Sequence, residues 1–120
     1  MKLVLSTLAL SLGLIAGASA QTKNTPAVVY DAGGKFDKSF NEAAYRGIER
    51  FKKETGQAYL EFEISNDTQR EQALRRMAQK GANPVIAIGF TQAPAVKKVA
   101  AEFPKTQFAI VDTVVEAPNV

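Results

Sequence analysis

PAVVYDAGGKFDKSFNEAAYRGIERF, Pro26 to Phe51, decides the fold class, because it holds a strand, a loop and a helix in that order. Pro26 to Asp31 is an uninterrupted apolar run centred on Ala27–Tyr30, the pattern of a strand buried on both faces. Gly33, Gly34, Lys35 and Asp37 then mark a loop. From Ser39 the apolar positions Phe40, Ala44, Ile48 and Phe51 recur at helical spacing, with Ala43 and Gly47 between. Ser39 and Glu42, three apart, predict a capping box at the helix start. Lys52 and Lys53 suit the last turn, and Gly56 suits the stop.

The rest of the chain repeats this unit. Ala58 to Ile64 alternates, with Leu60, Phe62 and Ile64 on one side and Tyr59, Glu61 and Glu63 on the other. That pattern predicts a half-buried strand near a sheet edge. A second helix is expected from about Gln69 to Gln79, with Thr68 and Glu71 as its capping box and Leu74, Met77 and Ala78 facing inward. Pro84 to Ile88 is a third strand, ending at Gly89-Phe90. A third helix starts at Thr91 or Gln92, tolerates Pro94 in its first turn, buries Val96, Val99, Ala100 and Phe103, and closes at Pro104. Thr106 to Val111 is a fourth strand, ending at Asp112. The order βαβαβαβ with short connections predicts an α/β fold, a parallel sheet with helices on both faces and right-handed crossovers. The sequence closes on VVEAPNV with the alternation unfinished, so it is expected to be the front part of a longer protein.

The first twenty residues read differently. Met1-Lys2, the apolar run from Leu3 to about Ile15 and the small residues Ala18-Ser19-Ala20 have the pattern of a secretory signal peptide cleaved after Ala20. As a membrane anchor the run is only just long enough for ~30 Å of hydrocarbon, and Ser6, Thr7, Ser11 and Gly13 interrupt it. The expected organisation is therefore a leader over 1–20 and one α/β lobe over 21–120, with no stable membrane insertion after cleavage. The chain has no cysteine, and so no disulfide framework and no lipid-anchoring cysteine. A periplasmic protein rather than a lipoprotein is expected. The lack of histidine excludes a histidine-based triad and, with no cysteine, the usual zinc sites. The net charge is +3, and lysines and arginines are dispersed among acids, which argues against a nucleic-acid-binding face.

In an open parallel sheet, ligands bind beyond the C-terminal strand ends. The candidates are Asp31 to Asn41, Gly89-Phe90 and Asp112-Thr113. A phosphate loop does not fit. GxGxxG is absent, Phe36 follows Lys35, and Val29 stands where the first glycine of a GxxxxGK motif belongs. Asp31 and Asp37 would also repel phosphate. Asp31 and Asp112 as an acid/base pair would have no histidine or cysteine to assist them. Ser39 lies in no nucleophile elbow. A polyhydroxylated, uncharged ligand fits better. A carboxylate accepts two adjacent hydroxyls, and a ring at the mouth stacks on a flat base for roughly 1–3 kcal/mol. Phe36 and Phe40 have that chemistry. The residues alone leave Phe40 open between core and mouth, and the aspartates open between ligand contact and local cap.

DAGGKFDKSFNEAAYRGIERF resembles the basic membrane protein family, substrate-binding proteins of ATP-binding-cassette importers similar to bacterial purine-nucleoside receptors. The matching motifs are Asp31, Gly33-Gly34 and Asp37-Lys38-Ser39-Phe40-Asn41, then VIAIGF (Val85–Phe90) and FAIVD (Phe108–Asp112). The resemblance runs the whole mature chain in register. It implies that Asp31 faces the ligand, Phe40 stacks on a purine with Asn41 beside it, Asp112 holds ribose hydroxyls, and Gly89 and Phe90 shape the wall. It implies a type I periplasmic-binding-protein-like N-terminal lobe, with the second lobe and its further contacts absent. It also implies capture by hinge closure and docking on a transporter permease, with no cofactor, metal or catalytic residue. The alternatives are a free sugar or small signalling molecule on the same fold, and a secreted α/β hydrolase fragment using the two aspartates.

Overall fold

The computed structural model describes residues 24–120. The expected leader and its cleavage site lie outside the described residues. Four strands form one sheet: β1 (Ala27–Tyr30), β2 (Leu60–Glu63), β3 (Val85–Ile88) and β4 (Phe108–Val111). All pairings are parallel, in the order β2-β1-β3-β4. The helices are α1 (Phe40–Thr55), α2 (Arg70–Gln79) and α3 (Ala93–Glu102), with 3-10 turns at Asp67–Gln69 and Phe90–Gln92.

The apolar runs are continuous because β1 and β3 are central and covered on both faces. Ala27 and Val29 of β1 and Val85 and Ala87 of β3 pack into one core with Leu74, Met77, Val96, Val99 and Ala100 of α2 and α3. Val28, Tyr30 and Ile88 point the other way, against Ile48 of α1. β2 is an edge strand, with Glu61 and Glu63 exposed and Leu60 and Phe62 half-buried, as its alternation predicts. On the α1 face, beside that helix, the sheet opens into an apolar groove of about 670 Å³ lined by Ile48, Phe51, Ile86, Ile88 and Val111.

The C-terminal segment doubles back on the body. The buried Asn119 side-chain amide donates toward the carbonyls of Ala100, Phe103 and Thr106, at 2.8–3.1 Å. The Asn119 backbone carbonyl accepts from the Phe108 N–H at 2.7 Å. One residue thus ties down the end of α3 with its side chain and the start of β4 with its backbone, satisfying carbonyls that a helix end leaves open.

Both expected capping boxes are corrected. Ser39 makes no side-chain cap bond. Asp37 does the work instead: Oδ1 accepts from the N–H groups of Ser39 (2.8 Å) and Glu42 (3.1 Å), and Oδ2 accepts from Asn41 (3.1 Å). A carboxylate is the stronger acceptor and its charge suits the helix N-terminus, so it displaces the hydroxyl two residues on. At the second site Asn66 Oδ1 accepts from Thr68 N–H (3.1 Å) and Thr68 Oγ1 (2.5 Å), so the Thr68 hydroxyl donates rather than caps. The Asp67–Gln69 turn then leads into α2 at Arg70.

Burial pushes the Asp37 carboxyl up, but its three backbone donors outweigh that and hold it below the usual carboxylate range. Its contribution is therefore present above the unfolded-state pKa and is lost as pH falls through the lower folded value. Asp37→Ala should lower the thermal midpoint by about 4–8 °C at pH 7. That deficit should shrink as pH falls through the acid range. Ser39→Ala should shift the midpoint far less. Thermal melts of the two variants at several pH values check this.

Candidate functional site

The strand order reverses between β1 and β3, which places the fold's ligand position at their C-terminal ends. Val29 pairs with Ala87 and Ile88 with Val111, so Asp31 and Gly89 come two residues beyond the first pair, and Gly89 and Asp112 one beyond the second. They lie on three adjacent strand ends, and Asp31 and Asp112 are roughly 10 Å apart across the intervening strand.

Asp31 is fixed from below by Asn41, the second residue of α1. Asn41 is buried; its Oδ1 accepts from the Asp31 N–H at 3.1 Å and its Nδ2 donates to the Asp31 carbonyl at 3.0 Å. That exchange locks the end of β1 to the start of α1 and satisfies backbone groups with no strand neighbour there. One donor and one acceptor of the amide remain unused by these two bonds.

The Asp31 carboxylate meets residues from two other elements. Oδ1 accepts from the Ala32 N–H at 2.8 Å and from Arg70 Nη2 at 2.8 Å. Oδ2 accepts from Thr91 Oγ1 at 2.6 Å. Burial pushes this carboxyl up, but the Thr91 hydroxyl and the Arg70 guanidinium outweigh it and hold it below its ordinary range. Arg70 in turn is paired with Asp67 through Nη1 at 2.7 Å. Sequence reasoning missed both Arg70 and Thr91. Their only signal was position: one opens a helix, the other follows a strand, and both ends face the rim.

Phe40 is 42% exposed and Phe90 61% exposed, so neither is a core residue. For Phe40 this removes the core reading that the sequence left open. The apolar stripe of α1 begins to bury only beyond it, with half-buried Ala44 and buried Ile48. Phe36 is exposed and packs edge-on against Tyr45, with centroids 5.2 Å apart at 79°. Lys35 lies 5.6 Å and 5.2 Å from those two ring centres and pairs with Glu61, while its N–H donates to Glu63 Oε1 at 2.9 Å. The loop after β1 is thereby strapped to the edge strand.

Asp112 is exposed, and its carboxylate makes no hydrogen bond or ion pair with the described residues. Its φ of 79° lies in the left-handed region, which few non-glycine residues occupy. Among the described residues no cluster of three metal-ligating side chains occurs, and no helix is long and apolar enough to cross a membrane.

A parallel sheet covered by helices on both faces, with exposed rings and an unpartnered carboxylate beyond its C-terminal strand ends, defines the class of fold: a single α/β lobe. Residues 24–120 match the Bmp family, ABC transporter substrate-binding protein PnrA-like, and the chain belongs to that family. It is 36% identical over 106 residues to an uncharacterized lipoprotein of Pyrococcus furiosus, covering 84% of this chain and 26% of that protein. It is 31% identical over 106 residues to the ABC transporter nucleoside-binding protein BmpA of Lactococcus lactis, covering 83% of this chain and 30% of that one. An ABC transporter solute-binding protein of Aeropyrum pernix superposes with a TM-score of 0.72 at 24% identity, over 78% of this chain and 26% of that one. The chain thus spans about a quarter of the length of the curated relatives it matches. The first of these is called a lipoprotein, whereas this chain contains no cysteine.

Proposed function

We propose that this chain forms one lobe of a periplasmic receptor that captures a nucleoside, preferably a purine nucleoside, and delivers it to the permease of an ABC importer. One observation carries the reading: the Asp112 carboxylate, exposed and without a partner among the described residues, follows the end of β4 as Asp31 and Gly89 follow the ends of β1 and β3. An unpaired carboxylate of this kind accepts two adjacent hydroxyls. Exposed Phe40 and Phe90 on the same rim offer faces for a base. Family membership and the nucleoside-binding role of the Lactococcus relative point the same way. Asp31, Asn41 and Gly89 form the floor, with Asn41 acting mainly through the backbone of Asp31.

Asp31 does not suit the role of a general acid. Asp31 is held ionised by Arg70 and Thr91, the opposite of the raised carboxyl that a general acid requires.

Titration of the isotopically labelled chain with inosine, guanosine, adenosine, uridine and ribose, followed by NMR, tests the proposal. One lobe supplies only part of a closed site, so dissociation constants on the order of millimolar are expected. Purine nucleosides should bind more tightly than uridine, and ribose alone should bind least, because stacking is lost. Ribose binding as tightly as inosine would favour the sugar-receptor alternative. Turnover of any of these compounds would favour the hydrolase.

A further inference from the structure

The Asp31 carboxylate has about four acceptor positions. Three are filled: Ala32 N–H and Arg70 on Oδ1, and Thr91 on Oδ2. One remains, on Oδ2. No side chain at 89 covers that oxygen, since a Cβ there would sit only 2.9 Å from it. Arg70 is well placed to hold this arrangement. Its side chain is only 12% exposed, and its Nη2 reaches both Asp31 and, at 3.3 Å, the Thr91 hydroxyl. Asp67 grips the other amino group, so the guanidinium is held on two sides.

We propose that Arg70 and Thr91 are positioning residues of the ligand site, which turn Asp31 so that it offers the ligand one open acceptor and therefore selects a hydrogen-bond donor at that point. This rests on the rim being the nucleoside site. The guanidinium closes two directions of approach together with the Ala32 amide, and the hydroxyl closes a third. A ligand group that carries only lone pairs meets like charge there and is rejected.

The same arrangement carries a pH signature. The charged groups around Asp31 are Arg70 from α2 and, across it, Asp67 from the preceding turn; Thr91 on the β3 side is neutral. Removing Arg70 leaves burial acting with only Thr91 and Ala32 to oppose it, so the carboxyl titrates at higher pH.

The test uses the labelled chain in five forms: wild type, Arg70→Met, Arg70→Lys, Thr91→Val and, as a distant ion-pair control, Glu102→Gln. The Asp31 carboxyl carbon is followed by NMR against pH, and each form is titrated with inosine at pH 7 and pH 5. Arg70→Met should raise the Asp31 midpoint and weaken inosine by about tenfold or more at pH 7, and further at pH 5. Arg70→Lys should recover part of both effects, and Glu102→Gln should change neither. Deleting ligand donors one at a time, with the 2′-, 3′- and 5′-deoxy analogues and 1-methylinosine, should find one donor whose loss weakens wild type but not Arg70→Met. If Arg70→Met does not fold, Thr91→Val carries the same comparison with a smaller shift. An unmoved Asp31 midpoint, or equal affinity of wild type and Arg70→Met, overturns this proposal alone. A wild-type chain that takes up no nucleoside overturns the proposed function and this proposal with it.

Discussion

Asp112→Ala should abolish detectable nucleoside binding, and Asp112→Gly should do the same while leaving the fold as stable or more stable. The two effects separate because the Asp112 side chain is exposed and has no hydrogen-bond or ion-pair partner among the described residues. Its backbone stands at φ 79°, a conformation that costs a non-glycine residue about 1 kcal/mol and glycine little. Backbone strain that no side-chain bond offsets is what a residue kept for ligand contact would show. On the ligand side, two hydroxyl donors to one carboxylate are worth about 1.5–3 kcal/mol each, enough to carry a millimolar complex beyond detection. Urea unfolding gives the stability of each variant and NMR titration with inosine gives the affinity. Retained affinity in Asp112→Ala would refute the ribose assignment. A large stability loss in Asp112→Gly would show that the residue is structural after all.

The layering was legible in the sequence because burial on two faces writes itself as unbroken apolar runs. Ala27–Tyr30 and Val85–Ile88 read as central strands, and Leu60–Glu63, alternating, reads as the edge. Chemistry that depends on which of several nearby acceptors wins was not legible. Asp37 and Ser39 both precede α1 at plausible capping distance, and only the loop geometry, with Lys38 at φ 57°, decides for the carboxylate. Asn66 and Thr68 pose the same choice before α2. Long-range polar contacts leave still less trace. Arg70 reaches Asp31 across 39 residues, and Gln92 reaches the Val29 carbonyl across 63, at 3.0 Å. No local pattern distinguishes these side chains from solvated ones. The rim aspartates were visible for a different reason. A strand ending in aspartate is a local feature, and the sheet topology alone brings such ends together.

Gly89→Ala should cost about 3 kcal/mol of stability and remove ligand binding with it. Two causes add. Gly89 has φ 105°, outside the conformations that an alanine takes without strain. Its new Cβ would also lie 2.9 Å from Asp31 Oδ2. That oxygen cannot swing aside cheaply, because the carboxylate is held by Thr91, Arg70 and the Ala32 amide, and its backbone by Asn41. Relief therefore requires breaking the clamp or bending the end of β3, and either moves the one open acceptor of Asp31. Gly47→Ala is the matched comparison. Gly47 is within α1, exposed, with nothing within 4 Å of its added Cβ. There the same methyl should raise stability by about 0.5–1 kcal/mol through helix propensity. Urea unfolding of the pair distinguishes strain at the rim from a general effect of alanine. If Gly89→Ala unfolds at the wild-type midpoint with Asp31 titrating as before, the close packing of β3 against that carboxylate has no energetic weight, and the rim is looser than its hydrogen bonds imply.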